Sequence, residues 1–203
     1  MKIESLMTVA KNRLMTLEEY LDYDDGTDTK YELVDGILVE MTAEADINIV
    51  IESFLFSIFL QFVPYYCIRR GTEIAVEGRY ANTRIPDLVV LSEEGVAALS
   101  GGKRSMVMFD MPAPTLAVEV VSSSDTNKAS RERDYTRKKT EYAQKGIAEY
   151  WIIDPILSVV WVLTLEDSVY KETKFVGDEK VRSPQFPQLN LSAKQILEAG
   201  MSS

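Results

Sequence analysis

Apolar residues fill almost every side of a helical wheel between Glu44 and Phe62, which predicts a helix that is buried or lies at a subunit contact, ended by Pro64. Two other stretches, Ile85–Leu91 and Leu116–Val121, are nearly continuous apolar runs, the pattern of central strands covered on both faces. Tyr150–Ile153 is a third buried strand, ended by Asp154-Pro155, and shorter runs at Tyr66–Arg69 and Thr72–Val76 read as further strands. Tyr31–Val34 and Ile37–Val39 flank Asp35-Gly36, a strong signal for a tight β-hairpin, and Val159–Leu165 with Val169–Phe175 predicts a later hairpin across Glu166-Asp167. Thr16 with Glu19 forms a capping box that opens a short helix, and the acidic run Asp24–Asp28 follows as a turn. A polar cluster at Ser122–Asp125 starts a helix that runs to about Gln144 and stops at Gly146, and Ser192 caps a last helix to Ala199. Residues 1–14 are expected to be a flexible or oligomer-bound arm, and residues 15–203 a single domain. The order of helices, sheet strands, crossover helix and more strands predicts an α/β (α+β) fold with a central mixed sheet.

Composition narrows the chemistry. The 203 residues are 46% hydrophobic and 27% charged, ordinary values for a globular chain with a real core. One cysteine excludes a disulfide framework, and the absence of histidine excludes Ser-His-Asp and Cys-His nucleophiles and His-ligated zinc. Catalysis must then use carboxylates, Lys, Arg, Tyr, Ser or a bound metal. Cys67, in an aromatic setting, is expected to be inert core. The net charge of −10 argues against a surface that binds nucleic acid all over. Its distribution is uneven: residues 1–60 carry thirteen acids against four bases, whereas residues 128–145 carry seven bases against three acids. Such a basic segment suits a local phosphate-facing site with Arg131, Arg133 and Arg137 as contacts, or simply a solvated helix face. The apolar stretch 47–63 is short for a bilayer and contains Glu52, so no membrane segment is expected; it is the surface suspected for a homodimer. With no secretory signal legible in residues 1–14, a cytoplasmic location is expected.

Two carboxylates interrupt the apolar strands, Asp87 in Ile85-Pro-Asp-Leu-Val-Val-Leu91 and Glu119 in Leu116-Ala-Val-Glu-Val-Val121. A charge in a strand buried on both faces costs several kcal/mol unless it is paired or coordinates a metal. Two such groups on neighbouring strands are the minimum for a divalent-cation site, and hard oxygen donors suit Mg²⁺ or Mn²⁺. The competing reading is a buried ion pair with Arg or Lys, or a strand-end carboxylate that reaches solvent. Tyr135, Lys138 and Tyr142 fall at i, i+3 and i+7, one face of a helix; if the tyrosines face the sheet, Lys138 faces the carboxylates while Lys139 is solvated. Glu32, alternating with Tyr31 and Leu33, reads by pattern as a solvent-face residue. Replacing Asp87 or Glu119 with Ala is expected to leave the fold intact, or even to stabilise it by relieving carboxylate repulsion.

The series Tyr31-Glu-Leu-Val-Asp-Gly36, Ile85-Pro-Asp-Leu-Val-Val90, Val118-Glu-Val-Val-Ser122, Asp134-x3-Lys138-x3-Tyr142, Glu149-Tyr-Trp-Ile-Ile-Asp-Pro155 and Phe186-Pro-Gln-Leu resembles the Uma-type family of restriction endonucleases, within the PD-(D/E)XK nuclease-like superfamily. The resemblance covers roughly residues 14–199. It implies a restriction-endonuclease-like core, a central mixed sheet flanked by helices, and Mg²⁺- or Mn²⁺-dependent hydrolysis of phosphodiester bonds in DNA. Asp87 matches the Asp of the PD motif, Glu119 the following acid, and Glu32 the early acid of the superfamily. In this likeness Asp87 and Glu119 hold the metal, and Lys138 stabilises the transition state or positions the nucleophile. The chain departs from the superfamily pattern at Val121, where a lysine is usual, so that Lys138 on the helix would be its migrated substitute. It also has Asp46 and Asn48 in the region where many members have a histidine. The alternative reading is a catalytically inactive nuclease-fold module that binds nucleic acid or protein.

Overall fold

The computed structural model describes residues 13–41, 45–102, 104–121 and 133–200, with the backbone alone for Arg133 and Asp134. A short helix α1 (Leu17–Leu21) opens on the Thr16–Glu19 capping box, both halves of which are formed. Strands β1 (Tyr31–Val34) and β2 (Ile37–Glu40) form a hairpin whose turn residues Asp35 and Gly36 both have positive φ, 50° and 75°. That conformation is the one an Asp-Gly pair adopts at little cost. Helix α2 (Asp46–Phe59) follows, then β3 (Ile68–Arg69), β4 (Glu73–Val76), β5 (Asn82–Arg84), β6 (Leu88–Val90), α3 (Glu93–Leu99), β7 (Met106–Val107) and β8 (Leu116–Val120). After residues 122–132, which lie outside the described residues, a wide helical turn (Arg133–Arg137) runs into α4 (Lys138–Lys145). Gly146, left-handed at φ 84°, stops that helix. Strands β9 (Glu149–Asp154), β10 (Val159–Glu166) and β11 (Val169–Phe175) and the short α5 (Ala193–Leu197), opened by a Ser192–Gln195 capping box, complete the chain.

The centre is a six-stranded mixed sheet in the order β11-β10-β9-β8-β6-β3. Its one parallel pair, β8 with β9, is joined through the α4 crossover, as a parallel connection requires. Alternate residues of the central strands serve two cores. Leu116, Val118, Trp151 and Ile153 pack with Ile51, Leu55 and Phe59 of α2 and with α5, whereas Ala117, Val121, Tyr150 and Ile152 pack with Tyr142 of α4. A side sheet, β5-β4-β7, carries the β1–β2 hairpin and α1 over a third cluster around Tyr20, Leu33 and Ala75. Among the described residues no helix is long and apolar enough to cross a membrane.

Most elements follow the periodicities, with instructive differences. The apolar helix is shorter than its pattern, and its excess hydrophobic surface is largely used within the chain: Val50, Phe54, Phe56 and Ile58 pack on the first core, while Ile49 and Leu60 stay exposed. The strand expected over Ile85–Leu91 begins only at Leu88, because Pro86 has no N–H to give a ladder. The late hairpin turns at Asp167-Ser168, both at positive φ, one residue beyond the expected turn. Glu32 does not face solvent; it is buried with Tyr31 and Leu33 because β5 and Ile85 close over the hairpin. The arm expected at residues 1–14 lies outside the described residues up to residue 12, as does the helix start at Ser122–Asp125.

Candidate active site

Strands β6 and β8 pair with Leu88 opposite Val118, Val89 opposite Ala117 and Val90 opposite Leu116. Continued by one residue, that antiparallel register sets Asp87 opposite Glu119, and by two residues Pro86 opposite Val120. A proline there cannot supply the N–H that the Val120 carbonyl needs. Side chains take over the ladder instead: the Val120 N–H donates to Asp87 Oδ2 at 2.5 Å, and the Val120 carbonyl accepts from Asn48 Nδ2 of α2 at 2.9 Å. Asp87 is thus drawn onto the edge of β8 just beyond the end of β6, and Asn48 is drawn to the same residue from the helix.

Glu119 projects toward α4. Its Oε2 lies 2.8 Å from the Lys138 ammonium, and its Oε1 accepts from the Tyr142 hydroxyl at 2.8 Å. All three side chains are buried. Burial, reinforced by the Glu119 charge, pushes the Tyr142 phenol well above its usual pKa, so it stays a proton donor to Glu119 at any physiological pH. The helical phase is the one the spacing predicts: Lys138 and Tyr142 point inward, Tyr135 is half-buried and donates to Asp154 at 2.8 Å, and Lys139 turns outward to pair with Glu172.

Glu32 approaches the same region from the hairpin, accepting from the Ile85 N–H at 2.9 Å, two residues before Asp87. Behind it, Arg84 is buried and grips Glu141 of α4 through two hydrogen bonds, 2.7 and 2.6 Å. Burial disfavours the Arg84 cation, but the Glu141 carboxylate and, more weakly, Glu32 outweigh it and hold its pKa above the usual value. Beside Asp87 opens a cleft of about 300 Å³, lined by Lys30, Ile49, Glu52, Arg70, Ile85 and Asp87 among others. In it Arg70 and the buried Glu52 form an ion pair.

The structure bonds Asp87 to Val120 of β8, the residue after Glu119, pairs Glu119 with Lys138, and bonds Glu32 to the N–H of Ile85, two residues before Asp87; of these four side chains only Asp87 lines the cleft. It does not assemble a carboxylate cluster: among the described residues no three Asp, Glu, Cys or His side chains stand together as ligands for a metal ion. Of the expected phosphate contacts, Arg137 is exposed and lies 3.6 Å from Asp35, Arg131 falls outside the described residues, and the Arg133 side chain does too. Asn48, Tyr142, Glu52 and Arg70 carry parts of this geometry that the patterns did not single out as site residues. The legible signal was polarity inside apolar segments: Asn48 and Glu52 both interrupt the apolar helix.

A family model described as "Uma2: Putative restriction endonuclease" matches residues 17–194. The chain belongs to this family. A search of the curated proteins finds no match. Among solved structures, a putative nuclease belonging to DUF820 from Anabaena variabilis ATCC 29413 superposes with a TM-score of 0.68 at 20% identity, covering 91% of this chain and 98% of that one. That likeness establishes the Uma2 chain as a mixed-sheet, nuclease-like fold and carries no residue roles with it.

Proposed function

We propose that this Uma2 protein is a Mg²⁺- or Mn²⁺-dependent endonuclease that hydrolyses phosphodiester bonds in DNA. The observation that carries the reading is the pairing of Lys138 with Glu119 on β8, next to Val120, whose N–H holds the cleft-lining Asp87. The donor chemistry fits a hard cation, for Asp87 and Glu119 offer carboxylate oxygens and the chain has no histidine or second cysteine to favour a softer metal. When bound, such a cation neutralises charge on the phosphate and acidifies a water. Asp87 and Glu119 would hold it. Asp87 is preset by the Val120 N–H, so its carboxylate needs little reordering. The Tyr142 hydroxyl fixes the Glu119 rotamer and keeps its own proton. Lys138, held at Glu119 Oε2, presents a cation to a non-bridging phosphate oxygen or to the attacking water, stabilising the charge that grows in the transition state. Glu32 supports the Ile85–Asp87 segment through the Ile85 N–H, a positioning role. Arg131, Arg133 and Arg137 would meet the DNA backbone.

The second reading, an inactive nuclease-fold module that binds nucleic acid or protein, is favoured by the same ion pair, since Lys138 already neutralises Glu119 without a metal. The two are separated by titrating Mg²⁺ and Mn²⁺ calorimetrically into the wild type and Asp87→Ala, with plasmid nicking followed on the same samples. Metal binding and nicking that vanish together in the variant support the nuclease. A wild type that is folded by circular dichroism yet binds no metal and nicks no plasmid overturns it in favour of the module.

A further inference from the structure

Val120 is the only residue of β8 shown with both its polar backbone groups taken by side chains from outside the sheet, the N–H by Asp87 and the carbonyl by Asn48. The N–H and C=O of one strand residue point to the same side, so the Asn48 amide and the Asp87 carboxylate stand next to each other. Asn48 is 4% exposed, and its Oδ1 is buried without a hydrogen-bond partner, alone among the buried side-chain polar atoms of the described residues. An amide oxygen left unpaired in the interior costs about 1–3 kcal/mol, and native chains hold few of them. The Asn48–Val120 bond accounts for Nδ2 and leaves Oδ1 unexplained. The neighbouring residue Ile49, and Glu52 one turn further along α2, line the cleft into which Asp87 also faces.

We infer that Asn48 is a third oxygen donor of the cation site: its Oδ1 binds the divalent cation held at Asp87, directly or through one of the cation's waters. The inference rests on the metal-dependent reading above and adds to it a neutral ligand from α2. An amide oxygen is a hard donor that suits Mg²⁺ or Mn²⁺, and unlike a third carboxylate it adds no charge beside Asp87 when the cation leaves. Nδ2 stays on Val120 throughout, so the same side chain that braces the strand edge presents Oδ1 in a fixed orientation.

The test uses the full chain and Mn²⁺ as probe, with dissociation constants from calorimetry and melting temperatures with and without saturating Mn²⁺. Four proteins are compared: wild type, Asp87→Ala, Asn48→Ala and Asn48→Asp. Asn48→Ala removes the donor and is expected to weaken Mn²⁺ binding five- to tenfold. Asn48→Asp loses the bond to Val120 but restores an oxygen ligand, so it should melt lower than wild type without metal, bind Mn²⁺ more tightly than Asn48→Ala, and gain the largest rise in melting temperature on adding Mn²⁺. Should Asn48→Ala not fold, Asn48→Asp against wild type carries the comparison by itself. If both Asn48 variants bind Mn²⁺ as wild type does while Asp87→Ala does not, Asn48 only braces the strand and this inference falls with the metal site intact. If wild type itself binds no Mn²⁺, the metal-dependent reading falls and this inference with it.

Discussion

Replacing Glu119 with Ala separates two physical pictures of this site. If the strand carboxylates chiefly repel each other, their removal leaves the fold unchanged or improves it. The structure leads to the opposite sign, because Glu119 is the carboxylate to which a buried ammonium and a buried phenol are both bonded, each at 2.8 Å. Breaking a buried pair by deleting one partner costs about 3–5 kcal/mol, far more than an exposed pair is worth. A loss of about 4 kcal/mol is therefore expected, which for a chain of this size lowers the melting temperature by roughly 8–16 °C. The measurement is urea and thermal unfolding, followed by circular dichroism in EDTA at pH 7, of the wild type, Glu119→Ala, Lys138→Met and the double variant. The two substitutions should be strongly non-additive, with a coupling of about 3 kcal/mol, since the double variant buries neither charge. A Glu119→Ala protein that melts within 2 °C of wild type, or above it, would refute the argument: the pair would then be solvated in practice and carboxylate repulsion the larger effect.

Two further outcomes follow from neighbouring groups. Arg84→Met should cost about 3 kcal/mol in urea unfolding, because Glu141 loses both hydrogen bonds of a pair whose arginine is 1% exposed, and Arg84→Lys should recover only part of it, lacking the planar fork that meets both carboxylate oxygens. Glu149 is pushed above its ordinary carboxylate range by burial, although Ser183, Trp151 and the Gln185 N–H partly offset this. A folded-state pKa raised for an acid means that the folded chain holds the proton more tightly. Stability should therefore fall as pH rises from about 4.5 through the raised value, and a pH series of melting temperatures on Glu149→Gln should lose that slope.

What the amino-acid pattern makes legible here is local. The Asp-Gly hairpin, the Thr16–Glu19 capping box, the Ser192 cap, the apolar strands at Leu116–Val121 and Tyr150–Ile153 and the inward face shared by Lys138 and Tyr142 each follow from residues close in sequence, and each stands in the structure. What was not legible depends on partners far along the chain. Glu32 looks like a solvent residue until β5 and Ile85, fifty or more positions on, cover it. The strands Asn82–Arg84 and Met106–Val107 are too short for a period and exist because β4 offers them an edge.

The Pro-Asp pair shows how the two kinds of information meet. Read locally, Pro86 merely interrupts an apolar strand and Asp87 is a costly charge within it. Read through the β6–β8 register, Pro86 is the residue that cannot donate to the Val120 carbonyl, and β6 stops short of Val120, whose N–H and carbonyl are both bonded by side chains instead. Asp87 meets the first and Asn48, 72 residues before Val120, meets the second. The proline thus creates the opening that orients the carboxylate, and the two residues act as one device. A substitution restoring an N–H at position 86 would let β6 extend toward Ile85, return Val120 to the ladder, and release Asp87 and Asn48 together. On this account Pro86→Val should keep the fold yet weaken any Mn²⁺ binding seen in the wild type, with every carboxylate of the site still present. Unchanged Mn²⁺ affinity in that variant would mean that Asp87 is held by something other than the broken ladder.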